Sequence, residues 1–212
     1  MTKARVLVLI SGGGSNLQTL IDASRAADCA YKIVHVISNR PEAFGLTRAE
    51  QAGIPARCLD HKAFKERGLF DAALAQMIDE VSPDLIVYAG FMRIMGADFV
   101  SRYEGRMINI HPSLLPNFPG LHTHARALEA GVTIHGCTVH WVTAGVDEGA
   151  IIGQAGVPIN PGDTPDDLAA RVLVQEHRLY SVCVQAVASG KAKLVDGRTM
   201  VDGKPGGYAL LG

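Results

Sequence analysis

Asn109 and His111 are the first residues in this chain whose types and spacing suggest chemistry. They close an apolar run, Arg106-Met107-Ile108, inside the stretch INIHPSLLPNFPG, and Pro112, Pro116 and Pro119 follow. Side chains alternate along a strand, so both residues face one way while Ile110 faces the other. Asparagine offers a neutral N–H donor, and histidine donates or carries a proton near neutral pH. Such a pair suits an oxygen that becomes negative during a reaction. The plainer alternative is a strand edge followed by a proline-rich loop. Asp147, in VDEGAIIGQ, is on one reading a turn aspartate. On the other it orients His111 and holds it protonated, as a carboxylate beside an imidazole does.

Two further stretches look built for a ligand. LISGGGSNLQTL places Gly12, Gly13 and Gly14 directly after an apolar strand. Glycines allow a sharp turn and a close approach by a ligand, and Ser15 with Gln18 fits a capping box. A helix opened in this way aims free N–H groups and a positive dipole end at an anion. Position 17 is Leu, so the dinucleotide fingerprint is incomplete, and no Gly-Lys-Ser/Thr follows. A monophosphate fits better than either a dinucleotide or a triphosphate. YAGFMRIM leaves a later strand at Gly90, where Phe91, Met92, Ile94 and Met95 either wall an apolar slot or are plain core. Arg93 among them fits a core less well. His122 and His124 form H-x-H without a convincingly spaced third ligand, so no metal is expected. His140 reads as a core histidine as readily as a functional one.

These residues must be held by a scaffold, and the pattern of the chain describes one. Strands are expected at Arg5–Ile10, Lys32–Ser38, Ala56–Leu59, Asp84–Ala89 and Arg106–Ile110. Helices are expected at Ser15–Ala27, Ala43–Ala52 and about Phe64–Val81. Such alternation implies βαβ units and an open, mostly parallel twisted sheet with helices on both faces, a Rossmann-like α/β fold. The second half differs. Gly136–Val142 and Ala150–Ile159 read as strands, and the longest helix opens at Thr164 with Pro165 behind it and ends before Gly190. Ala192–Val195 and Thr199–Val201 suggest a terminal hairpin, so antiparallel C-terminal strands should extend the sheet, and the tail KPGGYALLG should be loosely held.

Composition narrows the function. The chain has 212 residues, 48% of them hydrophobic, and a formal net charge of −1. That is core enough for one domain and lacks the basic excess of a nucleic-acid binder. No apolar run approaches the length of a membrane span, and the N-terminus is too short for a secretory h-region, so a cytoplasmic protein is expected. The four scattered cysteines read as reduced and structural.

Taken jointly, SGGGSNLQ, AGFMRI, NIHPSLLPNFPGLHTHARALEAG and VDEGAIIGQ resemble the folate-dependent glycinamide ribonucleotide formyltransferases of purine biosynthesis, from Val6 to about Tyr180. The resemblance implies formyl transfer from 10-formyltetrahydrofolate to the amine of glycinamide ribonucleotide, with no metal. Asn109, His111 and Asp147 match the family's catalytic trio, and Gly14, Ser15 and Asn16 its phosphate loop. Arg67 and Met92, Arg93, Ile94 and Met95 match folate contacts, as does Asn109. Ala144–Gly149 resembles the loop around the pterin, and Glu176 a residue near the ribonucleotide. Within one domain, residues 1–105 would bind the ribonucleotide phosphate, 106–190 would hold catalysis and folate, and 191–212 would form the hairpin and tail. Gly13 and Ala150 depart from the family pattern without removing a functional group. The expected assembly is a monomer or homodimer. Competing readings are a formyltetrahydrofolate hydrolase, a methionyl-tRNA formyltransferase, a nicotinamide oxidoreductase and a non-catalytic nucleotide-binding module. The first two usually carry an additional domain that 212 residues are not expected to hold. The dinucleotide fingerprint is broken, and a non-catalytic module would be expected to lack one of the trio, all of which are present.

Overall fold

A computed structural model describes residues 2–211, and the chain divides into two compact units. The first runs to Asn109 and takes back Val142–Ala144; the second holds Ile110–Trp141 and the residues from Gly145 onward.

In the first unit the strands are β1 (Ala4–Ile10), β2 (Tyr31–Ser38), β3 (Ala56–Cys58), β4 (Leu85–Tyr88) and β5 (Met107–His111), whose last two residues belong to the second unit. They lie in the order β5-β4-β1-β2-β3, and every pairing is parallel. A parallel sheet is covered on both faces, which is why β1 and β4 are near-continuous apolar runs. Val6 to Ile10 are fully buried. The helices are α1 (Ser15–Ser24), α2 (Phe44–Gln51), α3 (Arg67–Val81) and α4 (Ala97–Arg102). Phe70, Leu74 and Ile78 of α3 share one cluster with Leu7, Leu9, Ile86 and Tyr88 of the strands and with Phe99 and Tyr103 at the end of α4. The expected third helix begins later, at Arg67, because Phe64 and Glu66 have extended backbones after a single 3-10 turn at His61–Ala63. Alpha4 and, further on, α5 (Thr123–Glu129) are one- to two-turn helices too short to show a repeated apolar period.

The second unit contains β6 (Ile134–Trp141) and β7 (Ile151–Pro158), paired antiparallel, and α6 (Pro165–Ala188). Alpha6 begins as expected. Thr164 Oγ1 accepts from the Asp167 backbone N–H, Asp167 Oδ2 accepts from that of Thr164, and Pro165 occupies the first turn. Its buried face includes Leu168, Val172, Leu179, Tyr180 and Cys183. Trp141, fully enclosed, donates through Nε1 to Thr199 Oγ1 at 3.1 Å.

The terminus corrects one expectation. The hairpin forms as β8 (Ala192–Val195) and β9 (Arg198–Val201), and with β10 (Lys204–Pro205) it makes a separate three-stranded antiparallel sheet. The tail is not loose: β11 (Tyr208–Leu211) pairs in parallel with β7, Tyr208 opposite Gly153. Gly212 lies outside the described residues. Gly153 is bare because a Cβ there would stand 2.8 Å from Cys183 Sγ and 3.2 Å from the Tyr208 Cβ. Among the described residues, no helix is long and apolar enough to cross a membrane.

Candidate active site

Strand β5 carries Asn109 and His111 as the alternation requires, Asn109 half-buried and His111 5% exposed. In the second unit His111 Nδ1 lies 3.3 Å from Asp147 Oδ2, and its Nε2 lies 3.0 Å from the Phe118 carbonyl. Asp147 is held in turn. Its Oδ2 accepts the Gly120 backbone N–H at 2.9 Å, and its Oδ1 faces His140 Nε2 at 3.6 Å. His140 is oriented by its own Nδ1, which sits 2.9 Å from the Trp141 carbonyl and donates to it. The carboxylate thus lies among two imidazoles and an amide, at a residue with φ of 57°. That left-handed backbone, which aspartate tolerates better than most residues, turns the side chain inward from its loop.

The proline-rich segment after His111 is pinned by hydrogen bonds. Ser113 Oγ donates to the Asn117 carbonyl, the Asn117 N–H to the Leu114 carbonyl, and the Leu115 N–H to Thr138 Oγ1. Phe118 and Gly120, which meet His111 and Asp147, are delivered by this loop. Sequence reasoning missed both, because each contributes only a backbone group. It left His140 undecided, and the structure places it beside Asp147.

Charge in this cluster departs from expectation in one respect. Asp147 was expected to hold His111 protonated. Burial, the largest influence, instead pushes the His111 pKa below its ordinary 6.5, against the pull of the Phe118 carbonyl and of Asp147. Asp147 sits below the ordinary carboxylate value: burial alone would raise it, but His140, the Gly120 amide and His111 together outweigh that. The resting pair therefore keeps an ionised carboxylate beside a ring that resists charging. Both ring nitrogens nevertheless face oxygen acceptors, so a proton arriving on His111 already has its place.

Neighbouring histidines behave similarly. His124 and His135 meet edge to face at 5.2 Å, and His135 Nε2 and His124 Nδ1 lack hydrogen-bond partners. Burial lowers both pKa values, that of His135 from 6.5 to about 4, and it lowers those of His35 and His177 too. The sign follows from linkage: the unfolded chain takes up these protons near pH 6.5 while the folded chain refuses them. Stability should be full above pH 6.5 and decline as the pH falls toward 4. Thermal melts between pH 8 and 4 should show a midpoint dropping by several degrees across the lower half of that range. A flat midpoint down to pH 4.5 would contradict this account.

The first unit holds the other predicted residues. Gly14 is the N-cap of α1, with φ of 70°, and Ser15 and Asn16 form its first turn. The capping box expected from Ser15 and Gln18 is absent. Ser15 lies one residue inside the helix, and Gln18 Nε2 donates to Asp22 instead. Among the described residues no side-chain hydrogen bond caps this helix end. The segment after β4 is fixed by three side chains. Ser11 Oγ accepts the Met92 N–H at 2.7 Å, Arg67 Nη2 donates to the Met95 carbonyl at 2.8 Å, and Asp71 Oδ2 accepts the Gly96 N–H at 2.8 Å. Met92 and Ile94 stand 59% and 56% exposed, Met95 is buried, and the Arg93 guanidinium stacks 4.5 Å from the Phe70 ring centre. That stacking accounts for an arginine in an apolar stretch. Glu176, on α6 in the second unit, is half-buried and helps burial to raise the Cys137 thiol and the Tyr180 hydroxyl. Among the described residues no group of three or more His, Cys, Asp or Glu could hold a metal ion.

A parallel α/β scaffold that carries Asn109 and His111 on one strand, with Asp147 beside the imidazole, suits an enzyme that transfers an acyl group. The model of the formyl transferase family matches residues 4–184, and the chain belongs to that family. It is 48% identical over 207 residues to phosphoribosylglycinamide formyltransferase of Escherichia coli, covering 96% of this chain and 98% of that protein. It is 50% identical over 192 residues to the trifunctional purine biosynthetic protein adenosine-3 of Bos taurus, of which it spans only 19%. The solved phosphoribosylglycinamide formyltransferase of Coxiella burnetii superposes with a TM-score of 0.94 at 47% identity, covering 98% of this chain and 99% of that one.

Proposed function

We propose that the chain transfers the formyl group of 10-formyltetrahydrofolate to the amine of glycinamide ribonucleotide, in purine biosynthesis. The observation that carries this reading is Asp147 beside the buried His111, which follows Asn109 by two residues on β5, in a chain this similar to proteins named for that activity. The folate supplies the formyl carbon, bound to its N10. Asn109 donates an N–H to the formyl oxygen as negative charge builds there. His111 donates through Nε2, so the substrate oxygen replaces the Phe118 carbonyl as the acceptor on that nitrogen. As the carbon–N10 bond breaks, one proton leaves the attacking amine and one reaches N10. His111 and Asp147 act in this transfer as a coupled unit, the carboxylate at Nδ1 supporting the ring while its Nε2 donates to the oxygen.

Gly14, Ser15 and Asn16 hold the ribonucleotide phosphate, and Glu176 contacts the ribonucleotide. Arg67, Met92, Arg93, Ile94 and Met95 contact the folate, as does Asn109, and the loop at 144–149 encloses its pterin. Residues 1–105 hold the phosphate loop and part of the folate contacts, 106–190 the catalytic trio with the rest of the ligand contacts, and 191–212 the terminal hairpin and tail. The chain acts as a monomer or homodimer in the cytoplasm. A spectrophotometric assay with 10-formyl-folate and glycinamide ribonucleotide, omitting each in turn, tests the reading. Folate turnover that requires the ribonucleotide supports it. Turnover without the ribonucleotide would indicate a hydrolase, and no turnover in either case a binding module.

A further inference from the structure

The glycine turn before α1 is held from behind by α2. Gly45 N–H donates to the Gly12 carbonyl at 3.0 Å, and Arg48 Nε donates to the Gly13 carbonyl at 2.8 Å. In a trans peptide, C=O and the following N–H point in opposite directions. With both carbonyls drawn toward α2, the Gly13 and Gly14 amides must point away from it. The Gly14 carbonyl is occupied as well, accepting the Gln18 N–H at 2.9 Å. Arg48 is itself anchored: Nη1 donates to Gln18 Oε1 at 3.2 Å, and the guanidinium lies 5.0 Å from the Phe44 ring centre. The approach of α2 depends on two bare α-carbons. A Cβ on Gly14 would stand 2.8 Å from the Gly45 Cα, and one on Gly45 would stand 2.4 Å from Ile10 Cδ1.

We propose that Arg48, with Gly45, is a positioning residue for the anion site at the start of α1, and that it sets the preference for a phosphorylated substrate. This rests on the reading that the glycine turn holds the ribonucleotide phosphate. A backbone anion site works only when its amides converge before the ligand arrives, and glycines do not supply that order themselves. Arg48 supplies it by holding one carbonyl in place, and its charge adds positive potential next to the loop.

The test compares wild type, Arg48→Met and Arg48→Lys in steady-state kinetics, using glycinamide ribonucleotide and its dephosphorylated riboside. Binding of ribose 5-phosphate is followed by calorimetry. Removing a charged donor should raise KM for the ribonucleotide and weaken ribose 5-phosphate binding by about tenfold in Arg48→Met. Turnover, folate KM and kcat/KM for the riboside should stay within about twofold of wild type, on the same energetic argument. Arg48→Lys should fall between, since it keeps charge without the fork that bridges Gly13 and Gln18. Equal losses on both substrates would reduce Arg48 to a structural residue, and unchanged ribonucleotide KM and sugar-phosphate binding would overturn the proposal outright. If wild type binds ribose 5-phosphate through Arg48 yet transfers no formyl group, the assigned reaction fails and the positioning role stands.

Discussion

Replacing His111 by alanine is expected to lower turnover by on the order of 100- to 1,000-fold, as loss of one preorganised oxyanion donor typically does. KM for the ribonucleotide should remain within about threefold of wild type, because the interaction lost is one made only as charge develops. The residue is 5% exposed, with both nitrogens committed to oxygen atoms, so its ring is placed before substrate arrives. A loss of this size is about 3 to 4 kcal/mol of barrier. Steady-state kinetics across both substrates check it. If KM for the ribonucleotide rises as steeply as turnover falls, His111 binds that substrate rather than the transition state.

Asp147→Asn should have an effect of similar size, on the order of 100-fold or more in turnover, for a different reason. Asparagine is nearly isosteric and tolerates the left-handed backbone at this position, so the loop should keep its shape. What disappears is the negative charge 3.3 Å from His111 Nδ1, and with it the stabilisation of a proton on a ring that burial already discourages. Stability should change in a defined direction too. A carboxylate whose folded pKa is depressed contributes stability that is present above its ordinary 3.8 and lost as the pH falls through the folded value. Asp147→Asn should therefore melt below wild type at neutral pH, with the gap closing under strong acid. Asp147→Ala should melt lower still, because the Gly120 amide then loses its acceptor. Near-normal turnover in Asp147→Asn would leave His111 working alone.

How much of this was legible beforehand depends on whether a group's role is local. The βαβ alternation, the presence of a glycine turn and the N-cap of α6 are written in local periodicity and residue type, which located them. Asn109 and His111 were legible because a strand's two-residue repeat places their side chains without reference to the rest of the chain. Their partners were not, apart from Asp147, whose acidic side chain after a turn marked it.

What the order of residues determined alone is a parallel α/β scaffold and a strand that delivers an amide and an imidazole to one face. Tertiary structure decided how those groups are charged and held. It buried His111 deeply enough to lower its pKa, set the Phe118 carbonyl against one nitrogen, and surrounded Asp147 with Gly120 and His140. It also drew the last strand in beside β7 and set α2 behind the glycine turn. The physical reason is the same throughout. Desolvation and backbone hydrogen bonds depend on which distant segments fill the space around a group, and a linear pattern carries no record of that filling until the chain is packed.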